Sequence, residues 1–210
     1  MKSTYLIAII LFISMQGYSQ ILPAASPTEP DPADTNYYQN ADLGWKMAVP
    51  NGRTLISNSS LDTLVKKIID SSKSPINIAG AVVWLAFQKN KHNTFFAISQ
   101  HFPEQLNRNW ERYQALHDQG SYADYIDHLK GRDMKCDSAT SSELINGIKF
   151  HVYHIRVYFP NGRKFLDQFL YAKLIHGSSF GVAITASSDE AENLMLSVWS
   201  HSVFDSTPWQ

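Results

Sequence analysis

Three Asn-Gly dipeptides, at Asn51-Gly52, Asn146-Gly147 and Asn161-Gly162, constrain the fold of this chain more than any other feature. Asn and Gly both tolerate positive φ, and a two-residue turn built that way matches the right-handed twist of paired strands. Each dipeptide lies between apolar stretches. The spacing predicts short strands over residues 45–49 and 54–57 around the first, and over 142–145, 148–159 and 164–176 around the others. After Gly177 a run over 180–187 completes an antiparallel meander of about four strands. A further hairpin is expected from 79–88 and 94–101, turning through Lys89 to Asn93. The repeated Pro-Asn-Gly-Arg at 50–53 and 160–163 needs no binding partner, because proline before Asn-Gly helps to end a strand.

Helices are marked by capping boxes, in which a serine accepts from a first-turn N–H and an acidic residue three positions later reciprocates. Ser59 with Asp62 opens a helix carrying Leu61, Leu64, Val65, Ile68 and Ile69 on one face. Ser121 with Asp124 opens another, with Tyr122, Tyr125, Ile126 and Leu129 inward and Gly131 as its stop. Ser187 with Glu190 opens the last, burying Ala191, Leu194, Met195 and Val198. A weaker helix runs over 103–117, with Leu106, Trp110 and Tyr113 in phase. The strand over 164–176 is apolar on both sides, with Phe165, Phe169 and Tyr171 opposing Leu166, Leu170 and Leu174. A strand of that kind needs cover on both faces. The fold class is therefore α+β, an antiparallel sheet covered by helices.

The N-terminus sets the compartment. Lys2, an apolar run of about ten residues from Leu6 to Met15, and Gly17 and Ser19 at the small-residue positions form a signal peptide over 1–19, cut before Gln20. The run is too short to span a membrane. Residues 20–36, with Pro23, Pro27, Pro30 and Pro32, read as a spacer, and 37–207 as one α+β domain. Loss of Lys2 moves the balance of 18 basic and 19 acidic side chains to a net charge of about −2. No field of either sign gathers nucleic acid or anionic lipid. Cys136 is the single cysteine, so an exported domain of this kind holds together by core burial alone. Its expected role is a small apolar residue near a strand start.

No candidate chemistry meets its geometric requirements. Gly177-Ser178-Ser179-Phe180-Gly181 matches the nucleophile elbow of serine hydrolases, which requires a strand turning sharply into a helix. Here Val182 to Ala186 continue as strand, and Asp189 and His201 fall about 18 Å apart along one helix. His151 and His154, three apart on a strand, point to opposite faces and do not form a metal pair. Asp124 and His128 are expected to make an ordinary i,i+4 helix contact. The best binding candidate is a cleft formed by Asp167, Arg156 and Lys173, charged residues on strands otherwise flanked by apolar ones. No cofactor-binding or metal-binding motif occurs, and the scattered basic residues do not form a nucleic-acid surface.

The opening Tyr38-Gln39-Asn40, followed by Gly44-Trp45-Lys46-Met47-Ala48-Val49-Pro50, resembles the start of PsbP-like proteins. The run from Gly147-Ile148-Lys149-Phe150 to Ala186, ending in Ser188-Asp189-Glu190-Ala191-Glu192, is similar to their closing meander and final helix. The resemblance spans roughly residues 37–204 and implies an α/β/α sandwich with a central antiparallel sheet. The stretch over 103–135 is more helical than that pattern. Members of this group include extrinsic photosystem subunits, a nuclear-import factor that binds a small GTPase, and bacterial secretion chaperones. The resemblance thus implies a non-enzymatic interaction module. The favoured function is a secreted or periplasmic binding domain that uses a sheet edge or a helix–sheet groove to hold a protein partner or small ligand. Two alternatives stay open: a hydrolase of unfamiliar design using Ser179 or a cleft around Asp167, and a structural component of the cell envelope.

Overall fold

A computed structural model describes residues 36–41, 43–56, 82–101, 109–175 and 178–205. The signal peptide, the spacer up to residue 35, the helix expected from Ser59 and the first turns of that expected from Pro103 lie outside the described residues, and Asn36, the last residue of the expected spacer, opens the first strand. In chain order the elements are β1 (Asn36–Asn40), β2 (Trp45–Val49), β3 (Thr54–Leu55), β4 (Val82–Asn90) and β5 (Asn93–His101). There follow α1 (Trp110–Leu129), β6 (Lys135–Ile145), β7 (Ile148–Tyr158), β8 (Lys164–Ile175), β9 (Ser178–Ala186), α2 (Asp189–Ser200) and β10 (Val203–Phe204). Seven strands form one antiparallel sheet in the order β3-β4-β5-β9-β8-β7-β6, and β1-β2-β10 form a smaller one. The expected meander is present as β6 to β9, each paired with the next, but β6 begins at Lys135, seven residues before the expected start at Ser142, because its first part carries no apolar run. The fold is α+β.

Of the three Asn-Gly turns, only Asn146-Gly147 takes positive φ at both residues, closing a two-residue hairpin in which Ile145 pairs with Ile148. Asn161-Gly162 sits in a longer loop, where Asn161 accepts from Arg163 N–H and only Gly162 is left-handed. Asn51-Gly52 does not close a hairpin. It carries the chain from β2 in the small sheet to β3, which pairs with β4 in the large one. Local turn chemistry fixes the reversal but not which strands pair.

The large sheet is buried on both faces because its central strands are apolar on both. On one side Phe150 and Val152 of β7, Phe169 and Tyr171 of β8, and Phe180, Val182 and Ile184 of β9 pack under α2. On the other, Tyr153, Ile155, Val157, Leu166 and Leu170 meet Tyr125 and Leu129 of α1. α2 begins at Ser188, whose side chain accepts from Ala191 N–H at 3.2 Å, with three acidic residues in its first turn. This cap lies one residue later than the sequence expectation, because the Asn93 carboxamide holds Ser187 instead, accepting from its backbone N–H at 3.0 Å. The small sheet packs on the α2 side, where Trp199 meets the rings of Trp45, Phe95, Phe150, Tyr171 and Phe204. Gly44 joins β2 to β10: its φ is +56°, and a Cβ there would stand 2.6 Å from Asp205 Cβ.

α1 departs most from expectation. It is one helix of 20 residues, with Ser121 buried inside it and not capping it. Its inward stripe is Gln114, His117, Asp118, Ser121, Tyr125 and Leu129, whereas Ile126 is exposed. The first half of the stripe is polar, so hydrophobic periodicity could not locate it.

Trp199 is fully buried and touches both sheets. Trp199→Ala should therefore cost about 3–5 kcal/mol. Denaturant titration followed by circular dichroism measures this, and a loss below about 1 kcal/mol would contradict the packing.

Candidate functional site

Asp167 is fully buried on the α2 face of β8, opposite Arg156 of β7 in the strand register. His154 Nε2 lies 2.6 Å and Arg156 Nε 2.7 Å from its Oδ1, and both donate to it. Lys164 Nζ stands 2.7 Å from Oδ2 as an ion pair, out of hydrogen-bond alignment. The same ammonium reaches Glu192 at 2.8 Å and also Asp189, in the first turn of α2. Lys164 and Asp167 are three apart, which on a regular strand would put them on opposite faces. The ladder skips Phe165 between the pairs Tyr158–Lys164 and Val157–Leu166, and this bulge turns Lys164 to the α2 side.

Opposite charges shift one another within the cluster. Burial pushes the Asp167 carboxyl up, but His154, Lys164 and Arg156 outweigh it and hold the group well below the usual carboxylate range. The bond to Asp167 raises Arg156. Burial lowers Lys164, but Asp167, Asp189 and Glu192 outweigh it and raise it. Glu192 moves upward through burial and the nearby Asp167 charge. The structure therefore brings Asp167 and Arg156 together, as the sequence indicates. It does not bring Lys173, which lies six residues further along β8, roughly 20 Å away at strand rise. His154 and Lys164 complete the cluster in its place. The arrangement pins the N-terminal turn of α2 to the sheet, with the buried carboxylate hydrogen-bonded through Oδ1 and ion-paired through Oδ2.

A second polar cluster occupies the opposite face. His151 Nε2 lies 2.8 Å from Asp118 Oδ2 of α1, and Thr140 of β6 donates to the same oxygen at 3.4 Å. His151 and His154 thus serve carboxylates on different faces of the sheet, as their odd spacing requires. Burial raises the Asp118 pKa, but the His117 and His151 interactions outweigh it and the net shift is downward. His117 is 3% exposed, and neither ring nitrogen has a hydrogen-bond partner. Further along α1, Tyr125 donates to Gln168 at 3.0 Å, and Gln168 to Thr185 at 3.2 Å. Tyr122 donates to the carbonyl of Cys136. These bonds explain why a helix with so polar an inner face stays on the sheet.

The remaining candidates resolve locally. Ser179 lies inside β9, between Gln100 of β5 and Leu174 of β8, with no strand-to-helix turn. Asp189 is held by Lys164, and His201 bonds the carbonyl of Ser197 at the end of α2. His128 meets the backbone carbonyl of Asp124, not its carboxylate. Cys136 is a half-buried free thiol beside the α1-side core, and burial raises its pKa. Among the described residues no three His, Cys, Asp or Glu side chains gather as a metal site. Among them, too, no helix is long and apolar enough to cross a membrane.

That leaves β6. It is the last strand of the large sheet, 11 residues long and exposed at nearly every position. It pairs with β7 through an unbroken register from Lys135–Tyr158 to Ile145–Ile148. It has no proline and no bulge, and its middle, Ser138 to Ser142, is small and uncharged. Edge strands are usually protected by shortness, charge, proline or bulges. The opposite edge, β3, is two residues long. β6 carries no protection of this kind over its middle.

No protein-family model and no curated protein matches the chain. Among solved structures it is similar to the solution structure of cyanobacterial PsbP (CyanoP) from Synechocystis sp. PCC 6803. The two share 11% identity, with 86% of this chain and 98% of that one covered, at a TM-score of 0.49.

Because folding lowers the Asp167 pKa, its contribution to stability is complete above the unfolded carboxylate range and is lost as pH falls towards the native value. Glu192, shifted upward, contributes with the opposite sign. Asp167→Asn leaves Arg156 and Lys164 without their buried partner and should cost about 3 kcal/mol at neutral pH. It should also flatten the loss of stability between about pH 5 and pH 2. Urea titrations across that range test both; an unchanged acid limb would contradict the assignment.

Proposed function

We propose that this protein is an exported, non-enzymatic interaction domain that captures an extended polypeptide segment by strand addition to β6. The observation that carries the reading is the unprotected edge: an 11-residue terminal strand, exposed along its length and in continuous register with its inner neighbour. A strand at the margin of a sheet offers alternate N–H and C=O groups outward, and an added peptide satisfies them while its side chains alternate above and below. The small residues Ser138, Ala139, Thr140, Ser141 and Ser142 leave the approach open.

Export supports the same reading. The leader ending at Ser19 and the proline-rich spacer after it present the domain outside the cytoplasm, where segments of other envelope or secreted proteins are available to it. Neither charge cluster supports catalysis better than binding. Asp167 is enclosed by its own counter-ions, and the Asp118–His151 pair joins α1 to the sheet, with no serine or cysteine among the described residues bonded to it.

Two experiments test the proposal. Mass measurement of the protein recovered outside the cytoplasm should find Gln20 as the first residue; a retained leader would contradict export. Selection from a displayed library of random peptides should enrich extended sequences whose binding shifts the amide resonances of β6. Of the neighbouring substitutions Ser138→Pro and Ala139→Pro, one removes an outward N–H and should abolish peptide binding with the fold intact. The other removes a bond to β7 and should destabilise the sheet. Peptides that bind equally well to both folded variants would contradict strand addition.

A further inference from the structure

The sequence of β6 is self-complementary when read against itself in the antiparallel sense. It begins with a cation, Lys135, and carries an anion, Glu143, two residues before its end, the two separated by small and mostly uncharged residues. The two are eight residues apart, an even number, so both side chains project from the same face of the sheet. Both are exposed. Glu143 receives the Tyr171 hydroxyl on one carboxylate oxygen at 3.0 Å.

We propose that the strand docking on β6 is β6 of a second copy of this chain, paired about a two-fold axis at Ala139. The inference rests on the reading of β6 as a docking edge and names the partner. In this register Lys135 faces Glu143 of the second copy, and symmetry repeats the ion pair at the other end. Ser138 then faces Thr140, Cys136 faces Ser142, and Ala139 faces its own counterpart, all of them small. One step beyond, Leu144, at 70% the most exposed large apolar side chain among the described residues, faces Met134, which borders the α1-side core. Asp137 faces Ser141, and its carboxylate is already engaged by the Tyr158 hydroxyl at 2.9 Å.

Neighbouring registers lose this match. An axis at Thr140 sets Asp137 against Glu143 twice, placing like charges directly opposite. An axis at Ser138 sets Lys135 against Ser141 and Glu143 against Asp133. The Ala139-centred register is the one that pairs both ends with opposite charge. It extends the sheet continuously across the two copies, with both α1 helices on the same side. Pairing of the nine residues 135–143 supplies on the order of eight main-chain hydrogen bonds to groups that no other described strand pairs.

Analytical ultracentrifugation of the purified protein should show a concentration-dependent dimer. Lys135→Glu and Glu143→Lys should each weaken it about tenfold or more, and the double exchange should restore it to within about threefold. Circular dichroism confirms that each variant is folded, and Lys135→Glu leaves the Tyr171 bond to Glu143 untouched. In a Cys136→Ser background, Ala139→Cys should form an intermolecular disulfide on oxidation, because directly opposed residues lie within disulfide range. Ser141→Cys, which faces Asp137, should not link to itself. A protein monomeric at every concentration overturns the inference, as does a charge exchange that fails to restore pairing, or a Ser141→Cys link as fast as that at Ala139. A monomer whose selected peptides still map to β6 would remove self-pairing alone and leave the wider reading standing; peptides that bind elsewhere would remove that reading too.

Discussion

A sheet buried on both faces must satisfy its main-chain groups everywhere inside, and only its outermost strands escape that demand. In this protein β7, β8 and β9 carry apolar side chains to both sides, so helices cover both and each strand is hydrogen-bonded on both edges. The unmet valence is thereby pushed to the margins. At one margin β3 contributes two residues. At the other, β6 contributes eleven, almost all exposed. The architecture that buries the centre thus leaves, among the described residues, a long edge on which another strand can add.

Rigid placement of that edge depends on two polar devices, one on each face. On the α2 side, the bulge at Phe165 swings Lys164 over to join Asp167, Asp189 and Glu192, locking a helix start to the middle of the sheet. On the α1 side, Asp118 ties the helix to β7 and β6 through His151 and Thr140. Buried charges of this sort add little net stability compared with apolar packing, but their removal one at a time is costly. Their service is to fix where each helix sits. His117, 3.8 Å from Asp118 through Nδ1 but with no hydrogen bond to either ring nitrogen, is a place where that satisfaction is incomplete.

The sequence discloses those parts whose causes are local. Apolar runs and turn residues placed β7 to β9, the β4–β5 hairpin and the last four residues of β6, and the apolar residues on both sides of β8 announced cover on both faces; residues 135–141 of β6, small and polar, gave no apolar signal. Arg156 and Asp167 were recognisable as a pair of charges within apolar strands. What stayed hidden has non-local causes. The partner of β2 is β1 and β10, not the strand after Asn51-Gly52, because packing against Trp199 decides it. The inner face of α1 is polar where it bonds the sheet, so Gln114, His117 and Asp118 gave no apolar signal. Lys164 joined Asp167 in place of Lys173 through a single skipped residue, and a bulge leaves no mark in strand periodicity.

The central claim is that the outer edge of β6 is open in the isolated chain. Amide hydrogen exchange, resolved residue by residue along 135–145 in dilute protein, reads that edge directly. The account predicts alternation: every second amide, bonded to β7, is slow to exchange, and those between are fast because their N–H groups face solvent. Uniform protection along β6 in dilute protein would show that another part of the chain already covers the edge, and would contradict the account.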